Sequence, residues 1–187
     1  MTSKVNYGYF SGVGGIAGNM IIKTRNEFGK LAELHKHTGL GAEVGVQTGV
    51  FSERIAQDYT GNLLCVDIWE DADIYEDCLQ RLSDNSRFTM LKTSSLEAAK
   101  DVPDGSLDFV YIDANHFKEF VKADIKAWYP KVRSGGIFAG HDYCVFQDIE
   151  VIQAVDEWCA ATGYKINLTT EDFWQGHPFP TWWVVKR

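Results

Sequence analysis

The chain has 187 residues, 45% hydrophobic and 24% charged, values ordinary for a folded domain and wrong for a disordered, collagen-like or disulfide-scaffold chain. With 18 Lys and Arg against 26 Asp and Glu the net charge is −8, and without a dense basic stripe a grip on phosphate backbones is excluded, because it needs several clustered cations. No apolar run approaches a membrane span, no basic-apolar leader opens the chain, and Cys65, Cys78, Cys144 and Cys159 lack metal-ligand spacing and read as buried free thiols. The expectation is one soluble, cytoplasmic domain over residues 1–187, acting on a small neutral or cationic molecule, with no nucleic-acid or membrane partner.

Residues 1–40 differ in kind from the rest. Gly12-Val13-Gly14-Gly15-Ile16-Ala17 satisfies a loose G-x-G-x-x-A pattern, but only a weak aromatic strand candidate, Val5–Phe10, precedes it. It therefore reads as a flexible loop or lid rather than a phosphate cradle. A helix from about Asn26 to His37 follows, with Phe28, Leu31 and Leu34 on one face and Gly39 as its stop. His35 and His37 fall near its end, where a cation suits the helix dipole. The segment reads as an N-terminal helical cap on a core spanning 41–187.

In that core, strand-length apolar runs alternate with helical patterns, which argues for a mostly parallel sheet with helices on both faces. The strands are read at Gly41–Val46, Asn62–Val66, Arg87–Leu91, Leu107–Ile112, Gly136–Gly140, Lys165–Leu168 and Trp182–Val185, the last antiparallel. The helices are read at Phe51–Tyr59, Ile74–Leu82, Leu96–Lys100, Phe117–Trp128 and Ile149–Ala161. In the fourth of these, Phe117, Phe120, Val121, Ile125 and Trp128 recur at helical spacing, and Lys118, Lys122 and Lys126 form an opposite, solvated row.

Four places carry chemistry. Glu43-Val44-Gly45-Val46-Gln47-Thr48-Gly49 closes the first core strand and leads into a helix. Its glycines let a ligand approach the backbone, and its carboxylate suits a cation better than a pyrophosphate. The second strand ends in Asp67, where an acid normally meets ribose hydroxyls, followed by Ile68 and Trp69. Leu107–Ile112 discharges Asp113 and His116, and Gly135-Gly136-Ile137-Phe138-Ala139-Gly140 discharges His141 and Asp142 at the same sheet edge, where open α/β sheets bind ligands. Phe173, Trp174, Phe179, Trp182 and Trp183 make the C-terminal end aromatic, which suits core, a homodimer surface or a substrate wall.

The order of Glu43-x-Gly45-x-x-x-Gly49, Asp67, Asp113 and Gly135-Gly136 resembles the class I S-adenosylmethionine-dependent methyltransferases over residues 40–187. The segments Tyr-Ile-Asp-Ala-Asn-His and Gly-Gly-Ile-Phe-Ala-Gly-His-Asp look like a small bacterial-type group distantly similar to the catechol and caffeoyl-CoA O-methyltransferases. The resemblance implies a Rossmann-like, doubly wound, mostly parallel seven-stranded sheet. It implies that Glu43, Gly45 and Gly49 line the methionine part of the cofactor, that Asp67 holds the ribose, that Ile68 and Trp69 flank adenine, and that Ser94 or Ser95 lies by the adenine edge. Asp113 would sit beside the sulfonium and, in metal-dependent cousins, would bind a divalent ion together with Asp142. Those cousins carry an Asn after the second Asp and a Lys three positions after the first, where this chain has Tyr143 and His116. Two carboxylates plus a His can still bind Mg²⁺, Mn²⁺ or a softer ion, imidazole suiting transition metals better than Mg²⁺.

Methyl transfer from a sulfonium needs alignment of the acceptor and removal of its proton. His116 and His141 are the side chains suited to the second task, and His116, in the position of the cousins' base, is the preferred base. The expected function is O-methylation of a small molecule. The alternatives are a metal-independent N-methyltransferase, a cofactor-binding protein without catalysis, and an oxidoreductase built on Gly12–Ala17.

Overall fold

A computed structural model describes residues 20–187; the Gly12–Ala17 loop and the Val5–Phe10 strand candidate lie outside the described residues. The core is a seven-stranded sheet built from β1 (Leu40–Val44), β2 (Asn62–Asp67), β3 (Phe88–Lys92), β4 (Leu107–Ile112), β5 (Val132–Gly140), β6 (Asn167–Leu168) and the C-terminal β9 (Trp182–Val185). Two further strands, β7 (Phe173–Trp174) and β8 (His177–Pro178), form a separate hairpin. The spatial order is β3-β2-β1-β4-β5-β9-β6, with β1 to β5 parallel and β9 antiparallel to both its neighbours. The order reverses between β1 and β4, which opens a crevice beyond the C-terminal ends of those two strands.

Helices α1 (Phe28–Leu34), α2 (Val50–Asp58) and α3 (Ala72–Leu82) cover one face, and α4 (Ser95–Asp101), α5 (Lys118–Trp128) and α6 (Val151–Thr162) cover the other. Burial from both sides explains why all of β4 is apolar apart from Asp108. Its Phe109 and Tyr111 join the α1–α2 layer, where the Phe28 ring meets them edge-on at 5.2 and 4.8 Å, and Val110 and Ile112 join the α5–α6 layer.

Asp108 is the one carboxylate buried at the opposite end of the sheet from the crevice. It accepts the backbone N–H groups of His37 and Thr38 at 2.9 Å and of Gly39 at 2.7 Å, the Arg133 Nε–H at 2.8 Å and the Tyr59 hydroxyl at 3.1 Å. Burial opposes its charge, but Arg133 and the three amides outweigh that and hold the carboxyl at about 2. The cluster explains two departures from the sequence reading. The expected helix over 26–37 is a 3₁₀ turn (Arg25–Glu27) followed by α1 ending at Leu34, because the residues after it are drawn onto Asp108, and Leu34 itself is exposed. Strand β5 begins at Val132 rather than Gly136: Gly135, at φ +76°, sits inside a bulge where the pairing jumps from Leu107 with Val132 to Phe109 with Ile137.

The aromatic C-terminal end divides. Trp182 and Trp183 are buried on opposite faces of the sheet, whereas Phe173 and Trp174 are exposed on the β7–β8 hairpin. On α5 the apolar row also divides: Val121, Ile125 and Trp128 are buried and Phe120 is not. Its lysine row is only partly solvated, since Lys118 and Lys122 both pair with Glu157 of α6. Cys65, Cys78 and Cys144 are buried, Cys159 is half-buried, and all are free thiols. Among the described residues no helix is long and apolar enough to cross a membrane.

Candidate active site

Strand β1 stops at Val44 because Gly45 adopts φ +92°, a left-handed conformation that side chains rarely take. A Cβ on Gly45 would stand 2.2 Å from the Asp113 carbonyl oxygen, so only glycine lets the ends of β1 and β4 come this close. Gly49, at φ +79°, opens α2. Asp67 shapes the loop between them: its Oδ2 accepts the N–H groups of Val46 and Gln47, both at 2.9 Å, and its Oδ1 accepts that of Trp69 at 2.8 Å. The indole of Trp69, expected to flank adenine, is instead buried beneath the loop. Its Nε1–H donates to the Gln47 carbonyl at 2.7 Å and its ring packs on Tyr75 at 5.0 Å.

Glu43 is 1% exposed and accepts the Ser52 hydroxyl at 2.5 Å. Burial pushes its pKa up to about 8, against that hydrogen bond and the charge of Arg25.

Asp113, His116, His141 and Asp142 converge at the ends of β4 and β5. His141 Nδ1 lies 2.7 Å from Asp142 Oδ1, and His116 Nε2 lies 2.8 Å from Asp142 Oδ2 and 3.8 Å from Asp113 Oδ1. The His116 contact is charge pairing out of line with the N–H direction. Asp113 and Asp142 raise the His116 pKa to about 10, and the two histidines in turn hold the Asp142 carboxyl well below the carboxylate range against its burial. The two carboxylates favour the protonated form of His116, whereas the base role expected for it needs the neutral ring. Asp113, His141 and Asp142 each offer a ligand atom within 4.8 Å of the others. Two carboxylates and an imidazole are a donor set that fits a divalent transition ion.

The residue that sequence reasoning missed here is Arg25. Its Nη2–H donates to Asp113 Oδ2 at 2.8 Å, its Nη1 lies side-on to His141 at 3.3 and 3.4 Å from the ring nitrogens, and its guanidinium covers the Phe51 ring at 4.0 Å. Burial works against its charge, but neighbouring acids, Asp113 and Glu43 among them, raise its pKa overall. Its backbone N–H is gripped by both oxygens of Asp172 at 2.9 Å. No motif or period marks it, because it reaches the site from a 3₁₀ turn outside the sheet.

Arg25, Glu43, Gly45, Asp67, Asp113, His116, His141, Asp142 and Asp172 border one cavity of about 1380 Å³, as do Ile68, Ser94 and Ser95, whereas Gly49 and Trp69 lie outside its lining. Ser94 caps α4 by accepting the Glu97 N–H at 3.3 Å, and Ser95 bridges the Trp128 indole (2.8 Å) and the Asp124 carboxylate. The volume exceeds the usual range of about 300–1,000 Å³ for a single small-molecule site and accommodates two ligands side by side.

The strand order, with its reversal between β1 and β4 and a glycine turn at the crevice, is that of a Rossmann-like doubly wound sheet. A family profile described as a methyltransferase domain matches residues 40–143, more than half of the chain, and the chain belongs to that family. Its fold is that of the class I S-adenosylmethionine-dependent methyltransferases. The uncharacterized protein y4gI of Sinorhizobium fredii is 28% identical over 113 residues, 55% of this chain and 12% of the relative, so the chain spans about an eighth of that curated protein. Among solved structures, a Corynebacterium glutamicum protein superposes with a TM-score of 0.67 at 15% identity, covering 87% of this chain and 80% of the other. The Bacillus cereus O-methyltransferase in complex with S-adenosylhomocysteine does so with 0.61 at 19% identity, covering 85% and 80%. The Streptomyces achromogenes O-methyltransferase TomG, in complex with S-adenosylmethionine, gives 0.61 at 16%, covering 87% and 79%.

Proposed function

We propose that the protein transfers the methyl group of S-adenosylmethionine to an oxygen of a small molecule. The observation that carries this reading is that the glycine loop and the Asp–His cluster border the same two-ligand cavity. The Glu43, Gly45 and Gly49 loop takes the methionine part, with Asp113 beside the sulfonium. Asp67 Oδ1, which accepts one hydrogen bond among the described residues, keeps a lone pair for the ribose. Ile68, Ser94 and Ser95 border the adenine end, and Trp69 acts by holding the loop.

In the reaction an acceptor oxygen lone pair forms a bond to the methyl carbon, the carbon–sulfur bond breaks with its electrons going to sulfur, and the hydroxyl proton passes to a base. Alignment supplies a large share of the rate. His141, whose Nδ1 lies 2.7 Å from Asp142 Oδ1, is the other imidazole of the cluster, and we assign it as the base. His116, whose charged form Asp113 and Asp142 favour, is assigned to stabilise the acceptor's oxyanion. A divalent ion would be held by Asp113, His141 and Asp142 and would stand in place of the base role of His141. When bound it would lower the pKa of an acceptor hydroxyl.

Calorimetry with S-adenosylmethionine, S-adenosylhomocysteine and NAD tests the cofactor; binding of neither of the first two would overturn the proposal. Turnover over a panel of small alcohols and phenols, read as S-adenosylhomocysteine formed, tests the base. His141→Ala is expected to lower it by about two orders of magnitude or more with S-adenosylhomocysteine affinity retained. Unchanged turnover would remove His141 from the chemistry.

A further inference from the structure

The mechanism leaves one buried carboxyl on the cavity wall unused. Asp124, in the middle of α5, is 4% exposed, yet it borders the cavity together with Ser94 and Ser95 at the start of α4. One of its oxygens, Oδ1, accepts the Ser95 hydroxyl, and Ser95 in turn accepts the Trp128 indole N–H at 2.8 Å, so the carboxyl is held in one orientation. Among the described residues nothing donates to its Oδ2, and no cation pairs with it. Oδ2 is not among the buried atoms cut off from solvent, so a donor within the cavity can reach it. Burial lifts the pKa of Asp124 to about 6, with only the Ser95 hydrogen bond opposing it.

Its surroundings specify the donor. Next to Asp124 the cavity is walled by Ile68, Leu96, Phe117 and Phe120, all between 44% and 58% exposed although apolar. Two of these, Phe117 and Phe120, belong to the helical row that the sequence assigns to the core. Ile68 follows β2, Leu96 lies at the start of α4 and Phe120 precedes Asp124 by one turn of α5, so the apolar slot reaches from the end of β2 to α4 and α5, with Phe117 at its far end beside His116. A flat ring with an edge-mounted N–H donor is what such a slot with one carboxylate in its wall can hold.

We propose that Asp124 reads the exocyclic amino group of the cofactor's adenine and sets the enzyme's preference for adenine over other purines. The inference rests on the cofactor reading above and goes beyond it by assigning the base-specific contact to α5. Ser95 is the positioning residue that aims the carboxylate. Its hydroxyl is already engaged on both sides, so the adenine contact falls to Asp124.

The test is calorimetry at pH 8, where Asp124 is ionised, with S-adenosylhomocysteine and with S-inosylhomocysteine, which carries a carbonyl oxygen in place of the amino group. The wild-type chain is expected to bind the adenine compound at least tenfold more tightly. Asp124→Asn, whose amide can donate to that oxygen, is expected to bring the two affinities within about threefold. A purely structural role would weaken both ligands together and leave their ratio unchanged, and that result overturns the proposal. A wild-type ratio near one overturns it as well, without any variant and so independently of whether the variant folds. Binding of neither compound would instead refute the cofactor reading and this inference with it.

Discussion

Glu43 lies under the glycine loop with Ser52 as its hydrogen-bond partner, and its folded pKa of about 8 stands above the ordinary 4.5. The folded chain therefore keeps a proton that the unfolded chain releases. Its contribution to stability is fully present below pH 4.5 and is lost as pH rises through about 8. A sulfonium bound alongside favours the carboxylate, so S-adenosylmethionine binding at pH 7 is expected to expel up to one proton from this site. S-adenosylhomocysteine, neutral at sulfur, leaves it in place. Calorimetry in two buffers of different ionisation enthalpy reads the difference, and Glu43→Gln should abolish it. Equal proton release for the two ligands would separate Glu43 from the sulfonium. At this scale the sequence was legible where backbone geometry dictates residue type: the Glu-x-Gly turn, Asp67 at a strand end, Asp113 and Asp142 at two more. It was opaque where a side chain's partner comes from elsewhere in the chain. The pairing of His116 with Asp142 depends on the next strand, and Trp69 points under the loop because the Gln47 carbonyl claims its indole.

The elements themselves follow closely from period and punctuation, since helices and strands buried on known faces leave little freedom. Where boundaries moved, a specific polar group moved them. Asp108 gathers the α1–β1 connection and the β5 bulge onto one buried carboxylate through three amides and Arg133, a linkage between segments that no local window contains. Asp108→Asn keeps the shape but leaves the Arg133 charge without its partner. The expected loss is about 3 kcal/mol or more in denaturant unfolding. The folded pKa of about 2 lies below the ordinary 3.8, so the wild-type contribution is present above pH 4 and is lost as pH falls through about 2. The variant's stability should accordingly vary less across that acid range than the wild type's. A loss below about 0.5 kcal/mol would show that the connection holds without the charge.

Across the whole molecule, the acidic balance of the sequence takes a definite place. Glu43, Asp67, Asp113, Asp124, Asp142 and Asp172 all border the one cavity. The end of that cavity around Arg25 was not legible because its walls come from segments without spacing rules: the β7–β8 hairpin, Phe146, whose ring meets those of Trp174, His177 and Phe179, and the turn that carries Arg25. Asp172 ties two of these together, since it precedes the hairpin and grips the Arg25 backbone.

Arg25 also bears on the divalent ion. Its guanidinium pairs with Asp113, one of the three candidate ligands, and lies within 3.4 Å of a second, His141. A dication held by the same groups would stand a few ångströms from a buried positive charge, so ion and guanidinium compete for one place. Arg25→Met, which keeps an apolar stem over Phe51 and removes the charge, is expected to tighten Mn²⁺ binding at least tenfold, about 1.4 kcal/mol. Titration of free Mn²⁺ by electron paramagnetic resonance measures this without turnover. Metal affinity that is the same in both chains would mean that the ion, where it binds, does so clear of Arg25, and the segment before α1 would then have no part in choosing between metal-free and metal-assisted transfer. A tightened site would make that segment the element through which the cap bears on the chemistry at the far end of β4 and β5.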